Sequence, residues 1–382
     1  MTPPLPDAIA LPTPCLVVDQ AALHRNLSAM QVACDAAGVR LRAHGKMHKC
    51  PDLARLQIAQ GAVGVCAQTI GEAEAFAAAG ISDSLISAPI ALHDAPRAAA
   101  LAQRIRLALV ADDLALIDAL AATRAALSVL VDLDVGQRRT GATPAEALDL
   151  ARAIASAPGL RFGGVQAYHG AIQHLTPDAR AAGARATADL LRPVVAALTA
   201  AGLAPPVVTG GGTGSFATDI EAGVFSELQC GSYALMDVEY AACQAPFEPA
   251  VFLAATVVSA RRKTHATIDA GLKALSVEVA PRIVAGAPAG AHFRFMGDEH
   301  GAVLHPLYLA RLAGAGDAQA QAREAGAIQA DPNCPHPDDL PKIGARVWLQ
   351  PGHVDPTINL HSHLIVAADG AIVDRWPISA RR

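Results

Sequence analysis

The sequence predicts an α/β protein: a closed parallel (β/α)8 barrel over residues 20–245, followed by a mostly-β domain over 246–382 to which the N-terminal stretch 1–19 contributes a strand. Three observations carry this expectation. Eight short β-rich runs alternate with alanine-rich segments of helical spacing between about residues 20 and 240. Reactive side chains collect just past the ends of those runs, where the active sites of such barrels form. Beyond about residue 245 helical periodicity nearly vanishes, and short β-type runs separated by turn residues take over.

The barrel runs, in order, are VRLRAHGK (39–46), VGVCAQ (63–68), SLISAP (84–89), IRLALVAD (105–112), LSVLVDLDV (127–135), LRFGGVQAYHG (160–170), PPVVTGGG (205–212) and ELQCGSY (227–233). Segments between them, such as ALHRNLSAMQVACDAAG and EALDLARAIASAPG, space their apolar residues helically and end near glycine. A doubly wound open sheet would alternate in the same way. The barrel is favoured because Lys46, Gln68, Tyr168, His169, glycines 210–212 and Gly231 all fall at the C-terminal ends of different runs. In the second domain FLAATVVSA, ATIDAG, ARVWLQPG and HLIVAADGAIVDRW read as strands, TPCLVVD (13–19) as the strand added from the N-terminus, and ADPNCPHPDDLPKIG as a loop.

Composition removes several function classes. Thirty basic and thirty-five acidic residues give a net charge of -5 with no long Lys/Arg run, which argues against nucleic acid. The seven cysteines are scattered, odd in number and lack a C-x-x-C pair, as expected of reduced thiols in a cytoplasm and not of a disulfide framework or structural zinc site. Apolar runs are broken well before the ~18 residues of a membrane span, and the start lacks the basic end of a signal peptide. The expectation is a cytoplasmic protein with no membrane partner.

Four segments carry chemistry. In VRLRAHGKMHKC, period-two alternation places Arg40, Arg42, His44 and Lys46 on one face, which points into the barrel. Lys46 then stands at the top of the first strand, where desolvation and neighbouring cations lower an amine's pKa and favour Schiff-base chemistry; Lys49 has the opposite parity. A solvated basic run is the plainer alternative. TGGGTGS (209–215) follows a strand, and its side-chain-free backbone, with the hydroxyls of Thr213 and Ser215, suits a phosphate; Gly231 and Ser232 end the eighth strand beside it. In AYHGAIQH, Tyr168, His169 and His174 sit at the top of the sixth strand, where a histidine can move a proton. Arg138 and Arg139 in DVGQRRTG follow the fifth strand and can pair with an anion or a ring nitrogen. In QPGHVDPTINLH, His353 and Asp355 lie two apart in an extended-looking stretch and suit zinc or manganese, with a capping or hydrogen-bonding pair as the alternative.

Taken together, TPCLVVD, HGKMHK, QAYHGAIQH, TGGGTGS, ELQCGSYALMD, DAGLK, DEHG and PGHVDPTINLH resemble the D-threonine aldolase and D-3-hydroxyaspartate aldolase group of the alanine-racemase-like, fold-type III pyridoxal 5'-phosphate (PLP) enzymes, in order from about residue 12 to 380. The resemblance implies a PLP-binding TIM barrel, a C-terminal β domain and a homodimer. It implies Lys46 as the Schiff-base lysine, Arg139 facing the pyridine nitrogen, Tyr168 against cofactor and substrate, and Gly211, Gly212, Thr213, Gly231, Ser232 and Tyr233 as the phosphate cradle. His353 and Asp355 are implied as ligands of a divalent metal (Mn, Mg, Co or Zn), and His174, directly or through a water, as the base that removes the substrate's hydroxyl proton.

The implied activity is cleavage of a small-molecule D-3-hydroxy amino acid to glycine and an aldehyde. A dehydratase on the same scaffold is the nearest rival, set back by Asp355 where such dehydratases resemble one another in having cysteine. Racemization is a more distant one. A non-catalytic PLP-homeostasis protein would have no need of the HVD run. On the substrate the motifs divide: Gly45 in HGKMHK resembles hydroxyaspartate aldolases, whereas AYHG and HVDPT resemble D-threonine aldolases. A second carboxylate needs a cationic or hydrogen-bonding partner. Arg42, His44, His48 and His169 are the candidates, so the expectation leans to D-3-hydroxyaspartate giving glycine and glyoxylate, with D-threonine or a phenylserine second.

Overall fold

Each of the eight β-rich runs forms a parallel strand in the computed structural model, which describes residues 9–381. The strands are β2 (Arg40–Leu41) and β3 (Ala43–His44), β4 (Val65–Ala67), β5 (Asp83–Ile86), β6 (Arg106–Ala111), β7 (Leu127–Asp132), β8 (Leu160–Ala167), β9 (Val208–Gly210) and β10 (Glu227–Leu228); β1 (Cys15–Asp19) precedes them. Their order runs β2-β10-β9-β8-β7-β6-β5-β4-β3. Since β2 and β3 are two halves of one run interrupted only at Arg42, the ends of that path are the same strand and the sheet closes. Arg42 N–H donates to the Leu228 carbonyl at 2.9 Å, while the Leu41 carbonyl accepts from Val63 N–H at 2.8 Å on the other side.

Period-two alternation stacks the barrel interior in layers. Arg42, Asp83 and Glu227 occupy the N-terminal end; Cys66, Leu85, Val110 and Leu130 form an apolar layer; His44, Ser87, Asp132, Gln166, Thr209 and Gln229 lie at the C-terminal end. Turn chemistry fixes the surrounding helices. Thr69 caps Ile70–Ala78 by accepting from Glu72 N–H, Asp113 caps Leu114–Ala122, and Phe216–Ala222 stops at Gly223 in the left-handed region (φ 66°).

The chain divides into two compact units. One holds the barrel, as His24–Ala234, Tyr240–Phe247 and the described residues from Pro377; the other holds the described residues up to Leu23, with Leu235–Glu239 and Glu248–Trp376. In the second unit β1 lies between β11 (Val251–Ser259, antiparallel) and a parallel strand at His363–Ala368, in a nine-stranded sheet. Val17, Phe252, Ala254, Trp348 and Ile365 form its core. Residues 1–8 of the expected N-terminal stretch lie outside the described residues.

The C-terminal region is less purely β than its sequence suggests. Pro306–Gly314 and Ala318–Ala330 are helices. The first starts by local rules: His305 Nδ1 accepts from Leu307 N–H, and Pro306 occupies the first turn. The second, AQAQAREAGAIQA, is capped by Asp317 and buries only Ile328, so it shows no apolar stripe to read.

Candidate active site

Lys46 lies in a 3-10 turn, Gly45–Met47, directly after β3. The turn sits flat on its neighbours because Gly45 has no side chain: a Cβ there would come within 2.5 Å of the Phe76 ring and 2.8 Å of Val65. His44 braces it, with Nδ1 accepting from Lys46 N–H at 3.4 Å and Nε2 lying 2.9 Å from Ser87 Oγ. Lys46 is half-buried. Lys49 is buried, adopts a φ of 50°, and places Nζ 3.2 Å from Glu72, whose second oxygen accepts from Gln68 N–H at 2.7 Å. The ammonium of Lys49 is therefore committed to a carboxylate inside the protein.

The glycine run and the eighth strand end meet beside this turn. Tyr233 N–H donates to Thr213 Oγ1 at 3.0 Å, and a Cβ on Gly231 would stand 3.0 Å from the His44 carbonyl. Gly211 needs its left-handed φ of 72°, and a Cβ there would meet Asp219 at 2.8 Å. The loop's later donors are already used. Gly214 and Ser215 N–H groups donate to Gln173 Oε1 at 3.0 and 3.3 Å, and Ser215 Oγ donates to Asp219 at 2.5 Å, so Ser215 is not the hydroxyl donor its sequence position suggested. Burial pushes the Asp219 carboxyl up to about 6. Tyr233, with its hydroxyl accepting from Gln57 at 3.2 Å, is held far above the usual phenol range by burial.

Above the fifth and sixth strands, the Arg139 guanidinium lies 5.9 Å from the Tyr168 ring centroid. His169 Nδ1 is 2.9 Å from Thr187 Oγ1, and burial lowers its pKa. His174 is exposed, stacked edge-on against Tyr240 at 4.7 Å, with Nδ1 3.5 Å from Cys243 Sγ. Of the four candidates for a second substrate carboxylate, Arg42 points to the opposite end of the barrel, where Asp83 and Glu227 hold it at 2.7 and 3.0 Å. His48 is fully buried against Gln57 and His44 is engaged by Ser87. Inward parity put Arg42 in the interior, but an interior has two ends.

In the second unit His353 does not lie on a strand with Asp355. It is the N-cap of a short helix, Val354–Ile358, and Asp355 falls in the first turn, so strand parity does not apply. His353 Nδ1 is 2.5 Å from Glu278 Oε2 and 3.7 Å from Glu239 Oε2, while Val354 N–H donates to Asp237 at 2.8 Å. Among the described residues no three His, Cys, Asp or Glu side chains converge to hold a metal. The donor types of His353 and Asp355, imidazole and carboxylate, suit a divalent ion of the zinc or manganese kind.

Sequence reasoning missed the polar layer beneath the barrel mouth. Gln166 Nε2 donates to Asp132 Oδ1 at 2.9 Å and to the Ser87 carbonyl at 2.8 Å; Gln229 Nε2 donates to Gln166 Oε1 at 3.0 Å and Thr209 Oγ1 at 3.1 Å. Burial pushes Asp132 up to about 6, against the hydrogen bonds from Gln166 and Thr140. The available signal was parity: Ser128, Leu130 and Asp132 share the inward face of LSVLVD.

A lysine at the first strand's end and a glycine cradle at the seventh and eighth define a cofactor-binding barrel of the alanine racemase type. The alanine racemase N-terminal domain family matches residues 18–238, and the putative serine dehydratase domain matches residues 250–367. The chain is 39% identical to a D-threonine aldolase of Arthrobacter sp. over 97% of its length and 92% of the relative's. It is 36% identical to a 3-hydroxy-D-aspartate aldolase of Paracoccus denitrificans (strain Pd 1222), over 99% and 95%. A D-threo-3-hydroxyaspartate dehydratase of Delftia sp. (strain HT23) is 32% identical over 95% and 96%. The crystal structure of D-threonine aldolase from Filomicrobium marinum superposes with a TM-score of 0.84 at 36% identity, covering 97% of this chain and 95% of that one. The chain belongs to the D-threonine aldolase and 3-hydroxy-D-aspartate aldolase family of alanine-racemase-like proteins. It is an enzyme of the PLP-dependent carbon–carbon lyase class.

The residues at the barrel mouth fit PLP. They offer one amine in a turn that tolerates no side chain at Gly45, a cradle of Gly211, Gly212, Thr213 and Gly231 to Tyr233 closed against that turn, and an arginine beside an aromatic ring.

Proposed function

We propose that this protein cleaves the Cα–Cβ bond of a D-3-hydroxy amino acid, releasing glycine and an aldehyde. The observation that supports it most is the half-buried Lys46 in its braced turn, beside a lysine already neutralised by Glu72. Lys46 holds the cofactor, Arg139 faces its ring with Tyr168 alongside, and the glycine cradle binds its phosphate. PLP, when bound, supplies the electron sink that holds charge at the amino acid's Cα. His174 takes the proton of the 3-hydroxyl. His353 and Asp355 would hold a divalent metal, whose contribution would be to lower the pKa of a hydroxyl. Asp355 also separates this reading from the dehydratase reading, which expects cysteine there. We further read the protein as a cytoplasmic homodimer; among the described residues no helix is long and apolar enough to cross a membrane, and all seven cysteines are buried and none forms a disulfide.

Within the class we place D-3-hydroxyaspartate first, with His169 as the candidate left to partner its second carboxylate. D-threonine is the second reading, favoured by the commitment of Arg42 and His48 to other groups. Two assays decide. Glycine release from each substrate on one metal-loaded preparation tests the reaction, and a tenfold or larger preference in kcat/KM for D-threonine, about 1.4 kcal/mol, overturns the dicarboxylate reading. Exhaustive chelation tests the metal: turnover should stop with the PLP absorption band largely intact, and a full rate without metal would make His353 and Asp355 structural.

A further inference from the structure

The loop from Leu133 to Ala142 carries Arg139, and three carboxylates bind it. Asp134 Oδ1 accepts from Gly136 N–H and Arg138 N–H, both at 2.9 Å, which curls the tip and leaves Arg138 in a left-handed conformation (φ 54°) that L side chains seldom adopt. Asp112 Oδ2 accepts from Gly141 N–H at 2.8 Å, and Asp132 Oδ2 accepts from Thr140 Oγ1 at 3.0 Å. The stem closes by main-chain bonds, Ala142 N–H to the Asp132 carbonyl at 2.9 Å and Asp134 N–H to the Ala142 carbonyl at 3.0 Å. Gly141 makes that closure possible, since a Cβ there would stand 2.4 Å from Asp134 N. At the tip, a Cβ on Gly136 would stand 2.7 Å from His169 Nε2, so the loop rests against the segment after β8 that bears Tyr168.

Asp132 differs from the other two carboxylates. It is buried at the barrel mouth, with its second oxygen held by Gln166, itself bonded to Gln229 and the Ser87 carbonyl. Ser87 Oγ lies beside His44, which braces the Lys46 turn. One chain of hydrogen bonds thus runs from the lysine turn through His44, Ser87, Gln166 and Asp132 to Thr140, next to Arg139.

We propose that Asp132 and Thr140 are positioning residues that hold Arg139 at its place beside Tyr168, and that Asp132 sets this place in the same polar layer that sets the Lys46 turn. The proposal rests on the reading of Arg139 as the residue facing the cofactor ring. It explains why a carboxyl is kept in a buried site where ionisation is disfavoured: removing its charge would ease folding, whereas its bond to Thr140 fixes the loop.

The test is a double-mutant cycle on the full-length, PLP-loaded protein, with PLP dissociation constant and absorption maximum as readouts. Thr140 is exposed, so Thr140→Val keeps the fold; Asp132→Ala is the stronger but riskier variant. Arg139→Ala should weaken PLP binding and shift the band. Thr140→Val alone should weaken binding about threefold to tenfold, the worth of one hydrogen bond, and move the band the same way. In the Arg139→Ala background Thr140→Val should then do nothing further, whereas a merely structural role gives independent, multiplicative effects. If Arg139→Ala changes the spectrum and Thr140→Val does not, or if the two effects multiply, the positioning role is overturned and the Arg139 reading stands. If Arg139→Ala itself leaves both readouts unchanged, the Arg139 reading falls and the positioning role falls with it.

Discussion

At the N-terminal end of the barrel interior, Arg42 lies 2.7 Å from Asp83 and 3.0 Å from Glu227, with Arg106 on the far side of Asp83 and Arg40 3.8 Å from Glu227. At the C-terminal end, His44, Ser87, Gln166, Gln229 and Thr209 exchange hydrogen bonds of 2.8 to 3.1 Å around one carboxyl, Asp132. The apolar layer of Cys66, Leu85, Val110 and Leu130 separates them. The lower network is charged and closed on itself, and it surrounds a cavity of about 660 Å3 left open by small residues such as Ala108, Ser128 and Gly163. The upper network is mostly uncharged and supports groups that remain at the mouth, Lys46 and Arg139. A large cavity thus marks the structural end of this barrel, and a tightly bonded layer marks the end proposed to do chemistry.

The sharpest way to break the comparison is at Lys46. Lys46→Ala should abolish turnover and the borohydride-bleachable band while changing stability by no more than about 0.5 kcal/mol, since a half-buried amine leaves no core cavity. Mass mapping of the reduced protein should find the cofactor on Lys46; an adduct on Lys49 would show that its ion pair with Glu72 does not silence it. Arg42→Ala should do the reverse. Leaving Asp83 and Glu227 buried without their cation should cost about 3–5 kcal/mol in denaturant unfolding, with kcat of the folded fraction within a few-fold of the parent. A matching loss of kcat at full stability would mean that the two ends are not separate.

A pH series sharpens the upper layer. Asp132 is raised from 3.8 to about 6 by burial, so the folded protein holds its proton more tightly than the unfolded chain. Its contribution to stability is intact below about 4 and is lost as pH rises through about 6. Asp132→Asn, which keeps the shape and both hydrogen-bond positions, should therefore gain on the parent by about 2–3 kcal/mol between pH 4 and pH 8. An unchanged difference across that range would mean that Asp132 titrates as it does in the unfolded chain. The smallest effect belongs to the exposed Arg161 at the rim of the lower cavity, where Arg161→Ala should stay within about 0.5 kcal/mol and leave turnover unchanged.

Much of the barrel was legible because strands buried on both faces are short apolar runs, and every one of the eight runs forms a strand. Lys46 and the two glycine-rich turns were legible for a related reason, since strand ends in this fold are where unusual residues matter. Three things were not. Helix Ala318–Ala330 carries no amphipathic stripe, because it buries one residue. His353 and Asp355 read as extended, because the short helix between Gly352 and Asn359 begins at a histidine cap and contains Pro356 in its first turn. Arg42 has the right parity but the wrong end, which alternation cannot reveal: period two states the face of a strand, and the position along it comes from the partners Asp83 and Glu227, distant in sequence. Asp132 shares the inward parity of Ser128 and Leu130, but a single polar residue at the end of an apolar run carries no further signal.

The pairing of Lys49 with Glu72 bears on what the protein survives as well as on what it does. An enzyme that liberates an aldehyde bathes its own amines in a reagent that condenses with them. Three residues from Lys46, a second exposed lysine would be the nearest target of each turnover, and would also compete for incoming cofactor. Burial and an ion pair with Glu72, 3.2 Å from Nζ, keep Lys49 out of reach, so the site carries built-in chemoselectivity against self-modification. Glu72→Gln should then make the protein lose activity progressively over many turnovers, through an adduct on Lys49, at an initial rate close to that of the parent.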